Sequence, residues 1–112
     1  MTRGILATCY ADLKQDTTQG ISTTEEIRSL YEEYFADEPF VHVVDQPPHT
    51  KWTYGNNQCL IYPTLDIRTR RLLVISCLDN LVKGAAGQAI QNANRLYGLP
   101  ETAGLPAVAL YP

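Results

Sequence analysis

The run "RLLVISCL" (residues 71–78) leads directly into "DNLVKGAAGQAIQNANRLYGLP" (residues 79–100). The first segment reads as a strand and the second as a helix. That helix begins on Gly84, Ala85, Ala86 and Gly87. Glycine inside a helix costs about 1 kcal/mol relative to alanine. A strand feeding so small a helix start constrains the fold, because something must come close to that start. Three readings compete. Another backbone or sheet packs tightly there. Or the unpaired N–H groups and partial positive charge of a helix N-terminus meet an anion or amide ligand. Or Asp79 and Asn80, at the strand-to-helix turn, put a side-chain amide where it reads a ligand carboxamide. The glycine spacing fits neither the G-x-G-x-x-G fingerprint nor a P-loop. Further along, Ala86, Ala89, Ile90, Ala93 and Leu96 or Tyr97 fall at helical spacing. Gly98 sits where a C′ glycine belongs, with Pro100 just beyond as a stop.

Upstream, "RGILATCYADL" (residues 3–13) alternates Ile5, Ala7, Cys9, Ala11 and Leu13 on one side, the pattern of a half-buried strand. It starts almost at residue 1, an unusual place for a domain to open in its own sheet. "KQDTTQG" reads as a polar loop. In "STTEEIRSLYEEYFADEP", Ser22 with Glu25 or Thr23 with Glu26 gives a capping-box pattern. Ile27, Leu30, Tyr31, Tyr34 and Phe35 form one apolar stripe, with Glu25, Glu26, Arg28, Glu32 and Glu33 mostly off it as a solvated surface. "FVHVV" (residues 40–44) is a short strand. "DQPPHTKWTYGNN" (residues 45–57) is the longest irregular stretch and holds the only tryptophan. "QCLIYP" and "RLLVISCL" are strands joined by the hairpin-like "TLDIRTR". The tail "ETAGLPAVALYP" has no period and reads as extended chain along a surface. The order strand, helix, strand, strand, strand, helix predicts an α+β domain. Its sheet is mostly antiparallel or mixed, with two main helices on one face.

The 112 residues suit one domain. A net charge of −3 gives no basic footprint for nucleic acid. No apolar run approaches a membrane span. Cys9, Cys59 and Cys77 are widely spaced and form no C-x-x-C pair. They read as buried, reduced thiols of a cytosolic protein, and no metal set is expected. His42 alternates with valines as a surface or satisfied residue, and His49 reads as a loop residue.

The segment "DNLVKGAAGQAIQNANRLYGLPETAGL", with "MTRGILAT" and "PHTKWTYGNN" in the same order upstream, resembles the C-terminal portion of the N-acetyl-γ-glutamyl-phosphate reductases, a branch of the semialdehyde dehydrogenases. The resemblance covers essentially the whole chain. One departure is Asn56, where many relatives carry serine or threonine. The resemblance implies that residues 1–112 are one catalytic and dimerisation domain, without the N-terminal NADP-binding domain. It also implies that the chain starts just after the family's catalytic histidine. The family reduces an acyl phosphate to an aldehyde with NADPH, through a cysteine in an Asn-Pro-Gly-Cys segment. None of Cys9, Cys59 or Cys77 has Pro-Gly before it, so no catalytic residue is assigned here.

What the resemblance leaves to this chain is binding. Arg3 and Lys51 are the candidates for anionic substrate. Asn80, with Gly84, Ala85 and Gly87, is the candidate surface for the nicotinamide end of NADP, a cofactor of the parent and not expected on this piece alone. Further expectations are a homo-oligomer formed through the sheet, a small helix face that packs on the absent NADP domain, and a cytoplasmic location. The alternatives are an association module without chemistry, or a piece of another semialdehyde dehydrogenase. The continuous match over residues 79–105 argues against the latter.

Overall fold

The computed structural model describes residues 2–13 and 21–110; the loop expected at 14–20 lies outside them. Four strands form one sheet: β1 (Ile5–Asp12), β2 (Val41–Val43), β3 (Cys59–Asp66) and β4 (Arg71–Leu78). Their order is β1-β4-β3-β2. β4 pairs antiparallel with both β1 and β3, whereas β2 runs parallel to β3. The sheet is therefore mixed, and the α+β class stands. The β3–β4 hairpin closes through Asp66, whose carboxylate accepts the Arg68 and Thr69 N–H groups. Arg70 takes the left-handed turn position at φ +55°.

Helix α1 (Thr24–Tyr34) is capped by Thr23 and Glu26, not by Ser22 and Glu25. Thr23 Oγ1 accepts Glu26 N–H at 3.2 Å, and Glu26 reaches back to Thr23 N–H at 3.1 Å. The backbone N–H groups of Ser22 and Thr23 hold the Glu26 carboxyl below its usual range. α1 lies chiefly on β3 and touches β2. Thr24 ties it there, its hydroxyl accepting Leu65 N–H at 3.2 Å. Ile27 is buried beneath it, with Phe40, Leu60, Leu65 and Cys77 completing a small apolar core. Tyr31 and Phe35 of the stripe are half-buried, but Leu30 and Tyr34 are exposed.

β1 departs from expectation. Only Ala7 and Leu13 of its alternating set are half-buried; Ile5, Cys9 and Ala11 are exposed. Leu6 and Tyr10, on the other side, are also exposed, Tyr10 at 70%. The reason is position. β1 is an edge strand paired to β4 alone, while α1 packs over β3. The alternation marks a face that the described residues leave exposed. Cys9 is accordingly an exposed thiol, Cys59 is half-buried and Cys77 is fully buried.

Beyond β4 the chain makes a π-turn (Val82–Ala86) and then helix α2 (Gly87–Leu96). Gly98 ends α2 at φ +66°. Leu99 N–H bonds back to Asn94 O and Gly98 N–H to Arg95 O, the Schellman pattern expected of that glycine. The tail, expected to be extended, instead opens in turns over residues 101–104, with Ala103 N–H bonded to Pro100 O and Leu105 N–H to Thr102 O, and then packs along the loop before β3. Asn57 N–H donates to Pro106 O at 2.8 Å and Leu110 N–H to Tyr54 O at 2.9 Å.

Candidate functional site

The end of β4 carries Asp79 into a fully buried position. An isolated buried carboxylate is costly, so it must be paired and hydrogen-bonded. Arg3 Nε donates to both its oxygens, at 3.0 and 2.9 Å. Gly55 N–H donates at 2.6 Å, Leu81 N–H at 2.8 Å and Val82 N–H at 3.1 Å. Burial alone would raise the Asp79 pKa; the hydrogen bonds from Gly55, Leu81, Val82 and Arg3 outweigh it and hold the carboxyl below its usual range. One side chain thus joins the start of β1, the loop before β3 and the first turn after β4.

That first turn is widened. Gly84 N–H bonds to Asp79 O at 2.8 Å and Ala86 N–H to Leu81 O at 3.0 Å, each five residues back. Single π-turns of this kind are rare and recur at functional sites. The sequence reading did not anticipate it; the available signal was the pair of glycines in the opening turns. Gly87 is now explained by packing inside the domain. A Cβ there would collide with Asn57 Oδ1 and lie 2.7 Å from Val82 O. Gly84 is less constrained, since its Cβ would sit 3.3 Å from Asp79 O and Leu78 Cδ1. Gly84 and Ala85 are solvent-exposed, whereas Gly87 is buried. Of the candidate cofactor surface, Asn80, Gly84 and Ala85 are therefore accessible.

Helix α2 shows an inverted polarity. Its buried positions are Gly87, Gln91 and Asn94. Gln91 Oε1 accepts Asn57 Nδ2 at 2.9 Å and Lys83 Nζ at 2.7 Å, while its amide donates to Glu101. Asn94 Nδ2 holds the carbonyls of Glu101 and Ala103. Meanwhile Ala86, Ala89, Ile90 and Leu96 of the apolar spacing face outward, Leu96 at 84%. Lys83 is half-buried over the Phe40 ring, at 5.5 Å, and desolvation lowers its pKa. Asn56, the departure noted above, is buried and satisfied: its oxygen accepts Gln58 N–H at 3.0 Å and its amide donates to Trp52 O at 3.3 Å.

The other candidates fall as follows. The Arg3 guanidinium stacks on Tyr54, 4.7 Å from the ring centre, while its Nε holds Asp79. Asn80 is half-buried beside it, its Oδ1 accepting Gly4 N–H at 2.7 Å. Arg3, Asn80 and the π-turn are thus brought together by Asp79. Lys51 is exposed on a 3-10 turn, Thr50–Thr53, in the loop leading to Gly55. His42 is exposed on β2, and His49 is exposed and stacks edge-on against Trp52 at 4.9 Å. Burial pushes the Cys59 and Cys77 thiols up, away from thiolate character. Among the described residues no group of three His, Cys, Asp or Glu could hold a metal ion, and no helix is long and apolar enough to cross a membrane.

Residues 1–80 match the family described as semialdehyde dehydrogenase, dimerisation domain. The whole chain is 54% identical to an N-acetyl-gamma-glutamyl-phosphate reductase of Dehalococcoides mccartyi, covering 31% of that protein. A reductase of the same name from Heliobacterium modesticaldum is 54% identical over 114 residues, and one from Symbiobacterium thermophilum is 57% identical over 107. These matches cover 100% and 94% of this chain, and 32% and 29% of those proteins. The chain thus spans about a third of the length of the curated relatives it matches. By the match over residues 1–80, well over half of its length, the chain belongs to the semialdehyde dehydrogenase dimerisation-domain family.

Proposed function

We propose that these residues are the association and cofactor-facing part of a cytoplasmic N-acetyl-γ-glutamyl-phosphate reductase of arginine biosynthesis, which reduces an acyl phosphate to an aldehyde with NADPH. The observation that carries this reading is the accessible Asn80 amide at the head of the π-turn, in a chain about half identical to such reductases along its length. Those residues fit the nicotinamide end of the cofactor only: an amide beside a glycine-thinned turn, without a glycine fingerprint to cradle phosphates. NADPH would supply the hydride. Asn80 positions the nicotinamide carboxamide, while exposed Gly84 and Ala85 keep the turn thin beside it; Gly87 serves the turn from within. Arg3, through the part of its guanidinium not held by Asp79, and Lys51 on its exposed turn are the groups proposed to meet the substrate's carboxylate or phosphate.

The partners are a second copy, through the sheet where β1 is exposed, and the NADP domain, against the outward apolar face of α2. The test is a full-length protein carrying these 112 residues, assayed with NADPH and N-acetyl-glutamyl phosphate. Turnover is expected there and not in the 112 residues alone. Asn80→Ala is expected to lower turnover by about 1–3 kcal/mol of transition-state stabilisation. Unaltered kinetics would remove the cofactor role from Asn80. A second reading, an association module without chemistry, is favoured by the uncovered β1. Catalytic turnover by the full-length protein would reject it.

A further inference from the structure

The β1–β4 ladder does not stop at the Ile5–Leu78 pair. Two side-chain rungs continue it. Arg3 Nε bonds to Asp79, and the next residue, Gly4, donates its N–H to Asn80 Oδ1 at 2.7 Å. Gly4 stands at φ +97°, and a Cβ there would lie 2.8 Å from Thr50 Cβ. Glycine alone brings this N–H so close to the loop and to Asn80. The Asp79 carboxylate fixes both flanks of the same amide, because it also holds Leu81 and Val82 N–H.

We propose that Asp79 is a positioning residue for Asn80: through Arg3 it holds Gly4 in place, and Gly4 orients the Asn80 carboxamide with its oxygen inward and its NH2 toward a ligand. A backbone N–H can meet only an acceptor, so the inward atom is the amide oxygen. The ligand group that Asn80 recognises is therefore an acceptor, the carbonyl oxygen of a carboxamide. Asp79 touches no ligand in this arrangement and acts through its neighbours. The identity of the ligand rests on the reading of Asn80 proposed above; the orienting role of Asp79 does not.

The test uses the full-length protein, first without cofactor. Hydrogen exchange of the Gly4 amide reports the Gly4–Asn80 bond, and the Leu60 and Ile61 amides of β3 serve as reference. Asp79→Asn is expected to speed Gly4 exchange about tenfold relative to that reference. Arg3→Gln leaves the Asp79 bonds to Gly55, Leu81 and Val82 in place and is expected to act in the same direction. It keeps the test alive if Asp79→Asn fails to fold. NADPH affinity is then measured by fluorescence for Asn80→Ala, for the folded variant of the Asp79–Arg3 pair, and for the double variant. If the pair acts through Asn80, the double variant binds NADPH within about twofold of Asn80→Ala alone. Unchanged Gly4 exchange in the folded variants, or losses of affinity that multiply, would overturn the proposal. Should Asn80→Ala bind NADPH normally while Gly4 exchange still responds to the pair, the orienting role stands and the cofactor reading falls.

Discussion

An arginine–aspartate pair closes each end of the β1–β4 ladder. At one end Arg3 meets Asp79 at 2.9 Å; at the other Arg71 meets Asp12 at 2.7 Å. The shorter pair is the weaker constraint. Asp12 and Arg71 are both largely exposed, so water and salt screen them. Asp79 is buried and takes three backbone N–H groups besides its arginine. Removing one partner of such a set strands buried polar groups. Like residues therefore do different work: one pair trims an open sheet edge, and the other holds three chain segments in one geometry.

This contrast is open to experiment, beginning with the largest effect. Asp79→Ala is expected to destabilise the fold by about 3–5 kcal/mol, measured by urea titration, because it leaves Arg3 and three N–H groups without their acceptor. A loss below about 1 kcal/mol would make the two ends equivalent. Acid sharpens the same point. The folded Asp79 pKa lies below that of an unfolded aspartate, about 3.9. Its contribution is therefore complete above that value and is lost as pH falls through the lower folded value. Hydrogen exchange followed as pH is lowered below the unfolded value should show the Gly55, Leu81 and Val82 amides opening before those of β3.

Gly87→Ala comes next, at about 1–3 kcal/mol, since the new methyl must displace Asn57 or Val82. Gly84→Ala should cost less, its neighbours standing 3.3 Å away. Thr23→Ala removes the α1 cap and is expected to cost about 1 kcal/mol. It should leave the Asp79 junction intact, as read by the Leu81 and Val82 amide shifts. Asp12→Ala closes the series at under about 1 kcal/mol, fading further with added salt. A larger loss would show that β1 is held from its far end.

The regular elements were readable because their signals are local. The capping residues, the β-branched runs, the hairpin and the C′ glycine each act over a few positions. Sequence left two capping pairs open, and the structure selects Thr23–Glu26. Resemblance, not periodicity, marked Arg3 for substrate and Asn80 for cofactor, and the structure sets the two side by side. The Asp79 hub was missed because the partners that make it a hub are distant: Leu81 and Val82 are local, but Arg3 lies 76 positions away and Gly55 24. The inversion of α2 was hidden for a related reason. Hydrophobic spacing identifies an apolar stripe but not whether the chain itself covers it; here Gln91 and Asn94 turn inward to bind Asn57, Glu101 and Ala103. β1 misled in the same way, its alternation describing a surface that remains open.

The long reach of Arg3 also bears on the order in which the molecule assembles. The β3–β4 hairpin closes over a short turn, whereas β1 must find β4 across most of the chain. Loop closure grows costlier with length, and distant pairings form late and slowly. β1 is then the last strand to dock, and its latch is the Arg3–Asp79 pair at the far end of that search. Until the latch closes, the open edge of β4 can accept the β1 of another molecule as readily as its own. At high concentration during refolding, exchange of β1 between chains is the side reaction this topology favours.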